Sequence, residues 1–326
     1  MTVQALLEVE DLRIDLSVNG RSFPAVQDVS FSIRRGETFG LVGESGCGKS
    51  ITALALIGLL RNPLSIAGGS IRFHGQELLD LSPGGLRKLR GSRISMIFQE
   101  PMTALNPLSP VGRQIAEMFV LHKGANWSEA ERQAVEALAR VRVPAPERRV
   151  KDYPHQLSGG MRQRVMIAMA LACGPDLLLA DEPTTALDVT VQAEILDLIR
   201  ELSAAQGTAV LMISHDLGLI ANMCQNVGVM YAGRLIEQRA ADSIFLTPRH
   251  PYTQGLVASL PLLGARSKFG RKKLKEIEGV VPPVVAFPPG CRFNPRCHAA
   301  TDLCRAEDPV VTPLPDSGLV RCHYHD

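Results

Sequence analysis

No stretch of this 326-residue chain is both apolar and long. Uninterrupted apolar runs such as Ala53 to Leu56 and Leu177 to Ala180 fall far short of the roughly 20 residues that a membrane-spanning helix needs, so no bilayer crossing is expected. An excess of charge is missing as well. Lys and Arg number 35 against 33 Asp and Glu, so the overall balance advertises neither nucleic acid nor an anionic membrane surface as a partner. The opening residues, Met1 to Glu8, carry neither a basic segment nor a small-residue cleavage site; export is not expected, and the cytosol is. Internal repeats, low-complexity tracts and sustained heptads are also lacking. Cysteine is sparse and uneven: four of the seven fall in the last 36 residues. In a reducing compartment disulfides have a poor case, so this cluster reads as a metal or cofactor site.

What is present supports one large domain with an appendage, and an apolar share of 45% permits a proper core. The alternation in Leu7-Glu8-Val9-Glu10 and from Val29 to Ile33 predicts half-buried antiparallel strands, ended by turn chemistry at Arg35-Gly36-Glu37. Phe39 to Val42 predicts a buried strand and Ser50 to Leu60 an apolar helix, with further strands at Ile71 to Phe73 and Ile94 to Phe98. Between Pro101 and Gln163 the periodicity turns helical, with Ser128 and Glu131 expected to cap a helix that runs to Val141. From Val165 a helix, a strand at Leu177 to Ala180, a helix from Val191 to Ala204 and a strand at Ala209 to Ile213 alternate. Parallel strands covered by helices follow from that order. After about Phe245 prolines multiply, and Pro248 to Asp326 reads as an add-on with little core of its own.

Between the strand at Phe39 and the helix after it stands Gly43-Glu44-Ser45-Gly46-Cys47-Gly48-Lys49-Ser50, followed by Ile51. It fits G-x-x-x-x-G-K-[ST], in which backbone N–H groups and a helix start wrap nucleotide phosphates, the lysine reaches the outer phosphates and the hydroxyl holds Mg²⁺. Alone it says that a nucleoside triphosphate binds. About a hundred residues on comes Leu157-Ser158-Gly159-Gly160-Met161, then Arg162-Gln163-Arg164, and then an apolar strand ending in Asp181-Glu182. Phe98-Gln99, Ala186-Leu187-Asp188 and Ser214-His215-Asp216 complete the order. Any of these standing alone reads as a surface or satisfied polar group; in fixed order they do not.

The whole set resembles the ATP-binding-cassette (ABC) proteins. The resemblance implies an α/β P-loop cassette, a RecA-like core with an antiparallel β subdomain and an inserted helical subdomain, plus a small C-terminal cysteine-containing extension. The corresponding ranges are 1–98 and 165–245 for the core, 99–164 for the insert and 246–326 for the extension. It also implies roles: Asp181 with Ser50 and Gln99 at Mg²⁺, Glu182 polarising the attacking water, His215 at the γ-phosphate, and Gln99 sensing metal and water. Ser158, Gly159 and Gly160, with Asp188, meet the ATP held by an opposite subunit, so hydrolysis is expected to need a dimer. Two departures stand out. The adenine-stacking aromatic is replaced by Leu16, leaving weak stacking or Phe23, and Cys47 stands where serine is usual. Cys47 reads first as a filler of the loop; as the alternative, a thiol at a helix N-terminus is expected to have a lowered pKa, to react with thiol reagents and to be shielded by MgATP.

In the tail, Gly290-Cys291-Arg292-Phe293-Asn294-Pro295-Arg296-Cys297, then Cys304 and Cys322-His323, resemble the C-terminal extension of oligopeptide and dipeptide importer ATPases. Arg249-His250-Pro251-Tyr252-Thr253-Gln254 and Gly279-Val280-Val281-Pro282 match it too. The likeness covers nearly the whole chain and is nearest to dipeptide permease ATPases that pair with a second, similar ATPase. Cys291, Cys297, Cys304 and Cys322 are spaced more loosely than the about two to four residues of zinc knuckles, which favours a [4Fe–4S] cluster over zinc or free thiols; family members carry such a cluster. His298, His323 and His325 read as bystanders. Ligation is expected to fold the proline-rich tail.

The resemblance therefore implies an ATP-hydrolysing subunit of an ABC importer, using ATP and Mg²⁺, that drives di- or oligopeptide uptake. Its expected partners are a second ATPase subunit (a heterodimer or a homodimer), two transmembrane permease subunits and, indirectly, an extracytoplasmic peptide-binding protein. It is expected on the cytoplasmic face of the inner membrane, peripherally, with permease docking near Gln99 to Asn106. A nucleic-acid or ribosome ATPase is disfavoured by the single cassette and balanced charge. An exporter ranks lower, and redox regulation through the tail is compatible with transport.

Overall fold

The computed structural model describes residues 5–100, 104–185, 187–260, 266–267, 270–271 and 277–325. Met1 to Gln4, Ala186 of the Ala186-Leu187-Asp188 motif and Pro101, Met102 and Thr103 of the expected docking segment lie outside the described residues. Two compact units divide the chain: one takes in Ile33–Glu37 and Asp80–Met212, the other Leu6–Ser32, Thr38–Leu79 and Ile213–Asp326.

The second of these opens with β1 (Leu7–Val18), β2 (Arg21–Ile33) and β3 (Thr38–Val42), then α1 (Lys49–Leu56), β4 (Leu64–Phe73) and β5 (Gln76–Glu77). β1 pairs antiparallel with β4 from Leu7 opposite Phe73 to Leu16 opposite Leu64, and the strand order is β2-β1-β4-β5. The expected alternation is real: Leu7, Val9, Leu12 and Ile14 are buried while Glu10 and Arg13 are exposed. Both strands run longer than the alternation alone predicts. α1 is shorter than expected, because the chain leaves the helix after Leu56 and turns at Gly58, whose φ is +61°.

In the other unit follow α2 (Pro83–Leu89), β6 (Ile94–Ile97), α3 (Val111–Lys123), α4 (Trp127–Arg140), α5 (Pro146–Arg149), α6 (Gly159–Leu171), β7 (Leu177–Asp181), α7 (Val189–Gln206) and β8 (Ala209–Ser214). Strand order is β8-β7-β6, with β6 and β7 parallel. Every residue of β7 is buried, as its unbroken apolar run requires. α4 turns Ala130, Ala134, Ala137 and Leu138 inward, a helical stripe that packs on α3. Its cap is not the expected one. Asn126 accepts from the Glu129 N–H at 3.0 Å, so the helix starts one residue before Ser128.

The chain then returns to the unit of β1, adding α8 (Leu217–Met223), β9 (Asn226–Tyr231), β10 (Arg234–Ala240), α9 (Ala241–Leu246), α10 (Pro251–Ala258), β11 (Arg266–Ser267), β12 (Gly270–Arg271), α11 (Asp302–Ala306), β13 (Thr312–Pro313) and β14 (Leu319–Val320). Here the order is β13-β14-β10-β9-β3, with β3 and β9 parallel. The proline-rich C-terminal segment thus contributes two short strands to a sheet begun by the first 42 residues. It also shares a core with β9: Tyr231 lies 4.7 Å from Tyr252 and 5.1 Å from Phe293, ring centre to ring centre. Ion pairs add to the hold. Arg234 bonds Asp28 at 2.8 Å and Asp308 at 2.9 Å, and Arg321 reaches Asp308 at 3.3 Å.

His250 caps α10 by accepting the Tyr252 N–H on Nδ1 at 3.0 Å, and its backbone N–H donates to Glu237 Oε2 at 2.9 Å. Burial pushes its pKa down to about 3. Below about pH 6.5 an unfolded chain binds a proton that the native ring refuses, so stability is whole above that pH and declines towards about pH 3. The slope from this group is up to ~1.4 kcal/mol per pH unit. Replacing His250 with Asn, which keeps a cap acceptor, is expected to flatten the fall of melting temperature between about pH 6.5 and about pH 5. Calorimetry across that range checks it, and an unchanged slope counts against a neutral buried ring.

Candidate functional site

The phosphate loop springs from β3, four of whose five residues are buried. Gly43 leaves the strand at φ +153°, and a Cβ there would stand 2.2 Å from the Met230 carbonyl oxygen, so glycine is required for close approach. Gly48, at φ +106°, sets the start of α1 and offers no side-chain cap, so the helix opens directly from the glycine-rich loop. Lys49 is 5% exposed, and its Nζ donates to the Gly43 carbonyl at 2.6 Å and the Glu44 carbonyl at 3.1 Å. The ammonium therefore lies along the loop itself.

Cys47 is wholly buried, and burial pushes its thiol up although Lys49 pulls it the other way. The lowered pKa expected from a helix N-terminus is overturned, because desolvation of the thiolate outweighs the nearby positive charge. In the folded protein Cys47 is expected to resist iodoacetamide at neutral pH with or without MgATP, and to react on unfolding. Mapping alkylated peptides by mass spectrometry checks this, and rapid native labelling contradicts it.

In the other unit, parallel register places the hydrolytic candidates together. Ile97 of β6 pairs with Ala180 of β7, so the residues just past each strand, Gln99 and Glu182, emerge side by side. Gln99 Nε2 donates to Glu182 Oε2 at 3.0 Å, and the Thr185 hydroxyl donates to the same oxygen at 3.0 Å. Glu182 holds a left-handed backbone, φ +45°, uncommon for a residue with a side chain and of the kind found at functional sites. Asp181, 5% exposed, ends the buried strand. Thr185 was not singled out from sequence; a hydroxyl three residues past a carboxylate was the available signal.

Ser158 caps α6, accepting the Met161 N–H at 3.3 Å, and Gly159 and Gly160 open that helix. A Cβ on Gly160 would stand 3.0 Å from Val191 of α7, and one on Gly159 3.7 Å from Leu187, so the glycines let the two helix starts meet. Ser158, Gly159 and Asp188 are exposed, and Val189 is 82% exposed. His215 is exposed just past β8, in the unit of the phosphate loop, and Asp216 after it caps α8. Ile51 and Ser50 lie in the first turn of α1; Leu16 and Phe23 are half-buried on β1 and β2.

The iron–sulfur expectation is corrected. Among the described residues no group of three or more His, Cys, Asp or Glu side chains is placed to hold a metal ion. Cys291, Cys297, Cys304 and Cys322 do line one cavity, with His250, Phe293 and Tyr324, but it measures about 20 Å³, room for about one water. Burial pushes Cys291 up to about 11 and raises Cys297 and Cys322, so in the fold as it stands these groups are thiols. Loose spacing was therefore a misleading guide, and redox regulation through such a cluster goes with it.

A sequence profile described as "ABC transporter" matches residues 26–185, and one described as "Oligopeptide/dipeptide transporter, C-terminal region" matches residues 236–304. The "Dipeptide transport ATP-binding protein DppD" of Escherichia coli (strain K12) is 47% identical over 320 residues, 98% of this chain and 97% of that protein. The "Oligopeptide transport ATP-binding protein OppD" of Salmonella typhimurium is 50% identical over 305 residues, 94% of this chain and 90% of its own. Among solved structures, a dimeric ATP-binding cassette in a post-hydrolysis state bound to ADP and Pi is similar, at 26% identity and a TM-score of 0.65, covering 72% of this chain and 98% of that one. An ABC transporter component from Clostridium perfringens is 28% identical with a TM-score of 0.63, covering 74% of this chain and 91% of its own.

Proposed function

The chain belongs to the ATP-binding subunits of dipeptide and oligopeptide ABC transporters, and from that premise we propose that it drives uptake of short peptides by binding and hydrolysing MgATP in a dimer of cassettes. The observation that carries the hydrolytic reading is the Glu182 carboxylate gripped by Gln99 and Thr185 at the ends of parallel strands. Such a carboxylate, fixed by two donors to one oxygen, is suited to orient a water and draw off its proton.

The phosphate loop and Lys49 bind the triphosphate, and the exposed His215 contacts the γ-phosphate. Ser158, Gly159 and Gly160 offer a helix N-terminus, with Asp188 beside it, to nucleotide held by a second cassette. The Mg²⁺ donors in this reading are the Ser50 hydroxyl, the Gln99 amide oxygen and Asp181, hard oxygen groups of the kind the ion takes. When bound, Mg²⁺ supplies charge neutralisation at the outer phosphates. Residues 1–98 and 165–245 serve as core, 99–164 as helical insert and 246–326 as a C-terminal extension.

No helix among the described residues is long and apolar enough to cross a membrane; in this reading separate permease subunits supply the path. We place the chain peripherally on the cytoplasmic face, docked through the segment from Gln99 to Asn106, paired with a second ATPase subunit and served by an external peptide-binding protein. Reconstitution into proteoliposomes tests this. ATP-dependent accumulation of a labelled dipeptide supports the reading, and ATP turnover that no peptide and no permease alters overturns it.

A further inference from the structure

The residue after the first glycine of the phosphate loop, Glu44, is held by the C-terminal segment from two sides. Its carboxylate accepts from Arg296 Nη1, at 3.1 Å to each oxygen. Its backbone N–H donates to the Tyr252 hydroxyl at 3.0 Å. Neither partner is a loosely placed surface group. Arg296 is 6% exposed in its side chain, against 30% for Glu44, and its other two nitrogens are engaged as well: Nε donates to the Glu278 carbonyl at 2.8 Å and Nη2 to the Ile277 carbonyl at 3.1 Å. The guanidinium also lies 5.7 Å from the centre of the Tyr231 ring. Tyr252 is wholly buried between Tyr231 and Phe293.

The electrostatic consequence concerns the ligand, and rests on the reading of this loop as an ATP site. A carboxylate inside a phosphate-binding loop is a like charge beside a polyanion, and partial burial keeps water from screening it fully. A guanidinium fixed by two carbonyls and aimed at both carboxylate oxygens offsets that charge. We propose that Arg296 and Tyr252 are positioning residues for nucleotide binding: Tyr252 fixes the Glu44 backbone, and Arg296 cancels a carboxylate charge that would otherwise oppose the triphosphate. Though more than 200 residues downstream, both belong to the phosphate loop's own compact unit.

The test measures MgATP and MgADP dissociation constants of the full chain by fluorescent-nucleotide displacement, with melting temperature alongside. Arg296→Gln is expected to weaken MgATP about tenfold and MgADP less, the loss shrinking as salt is raised. Arg296→Lys, which keeps the charge, should recover much of it, and so should the double variant Glu44→Gln/Arg296→Gln, which removes the offending carboxylate. Tyr252→Phe should weaken both nucleotides without the salt dependence. A lowered melting temperature with MgATP affinity intact makes the pair merely structural and overturns the proposal, as does a double variant no better than Arg296→Gln. Should Arg296→Gln not fold, Glu44→Gln decides: it must bind MgATP at least as tightly as wild type, and weaker binding overturns the proposal. Lys49→Ala separates the two levels, since failure of wild type to outbind it sinks the ATP reading itself and not only the role of Arg296.

Discussion

Glu182→Gln in the assembled transporter lowers ATP turnover by about 10²–10⁴-fold while MgATP still binds, the range expected when a general base is lost. The amide keeps the shape of the carboxylate and an oxygen that can accept from Gln99 and Thr185, both now 3.0 Å from Glu182 Oε2, so the surrounding geometry survives. What disappears is the negative charge that draws a proton from the attacking water. Phosphate release measures the loss, and fluorescent-nucleotide binding shows that the site is still assembled. A rate near wild type would remove Glu182 from the mechanism and leave the parallel-strand pairing with Gln99 as architecture alone.

Lys49→Ala is expected to have a comparably large effect at the other end of the reaction, weakening MgATP by about 100-fold or more through loss of a charge-assisted contact. The ammonium is 5% exposed and bonded to two loop carbonyls, so it is already directed along the cradle and spends little freedom on meeting a phosphate. Its removal also takes a buried charge out of the fold, and the melting temperature is expected to hold. Affinity by displacement, read beside a melting curve, separates lost binding from lost folding. Retained affinity would mean that the backbone N–H groups at the start of α1 carry the phosphates unaided.

The phosphate loop was legible in the sequence because its glycines answer to geometry. Gly43 leaves no space for a Cβ, and Gly48 opens a helix from a left-handed turn. Glu182 was legible as a residue type, but not its pairing with Gln99, which depends on the register of two strands about eighty residues apart in sequence. The cap of α4 was misplaced by two residues because Asn126 and Ser128 both carry suitable oxygens, and only the backbone path decides between them. Cys47 was read from its place at a helix start, where burial proved the larger force. The C-terminal segment misled in two ways. Its prolines concealed a shared aromatic core, because that core includes Tyr231, which lies before the segment begins. Its cysteines suggested an inorganic staple, whereas the segment is secured by ring packing, by Arg234 and Arg321 on Asp308, and by strand pairing.

That last pairing reaches beyond anchoring. β10 would otherwise end its sheet with a row of backbone donors and acceptors open to any extended chain that drifted past, and two-residue β14 occupies the middle of it, Glu237 and Gln238 opposite Val320 and Leu319. With β13 laid outside and proline in that final strand, the margin finishes in a residue that has no amide hydrogen to offer. The polypeptide thus blunts its own seam, and a protein crowded among identical neighbours is spared a template for growing into fibres.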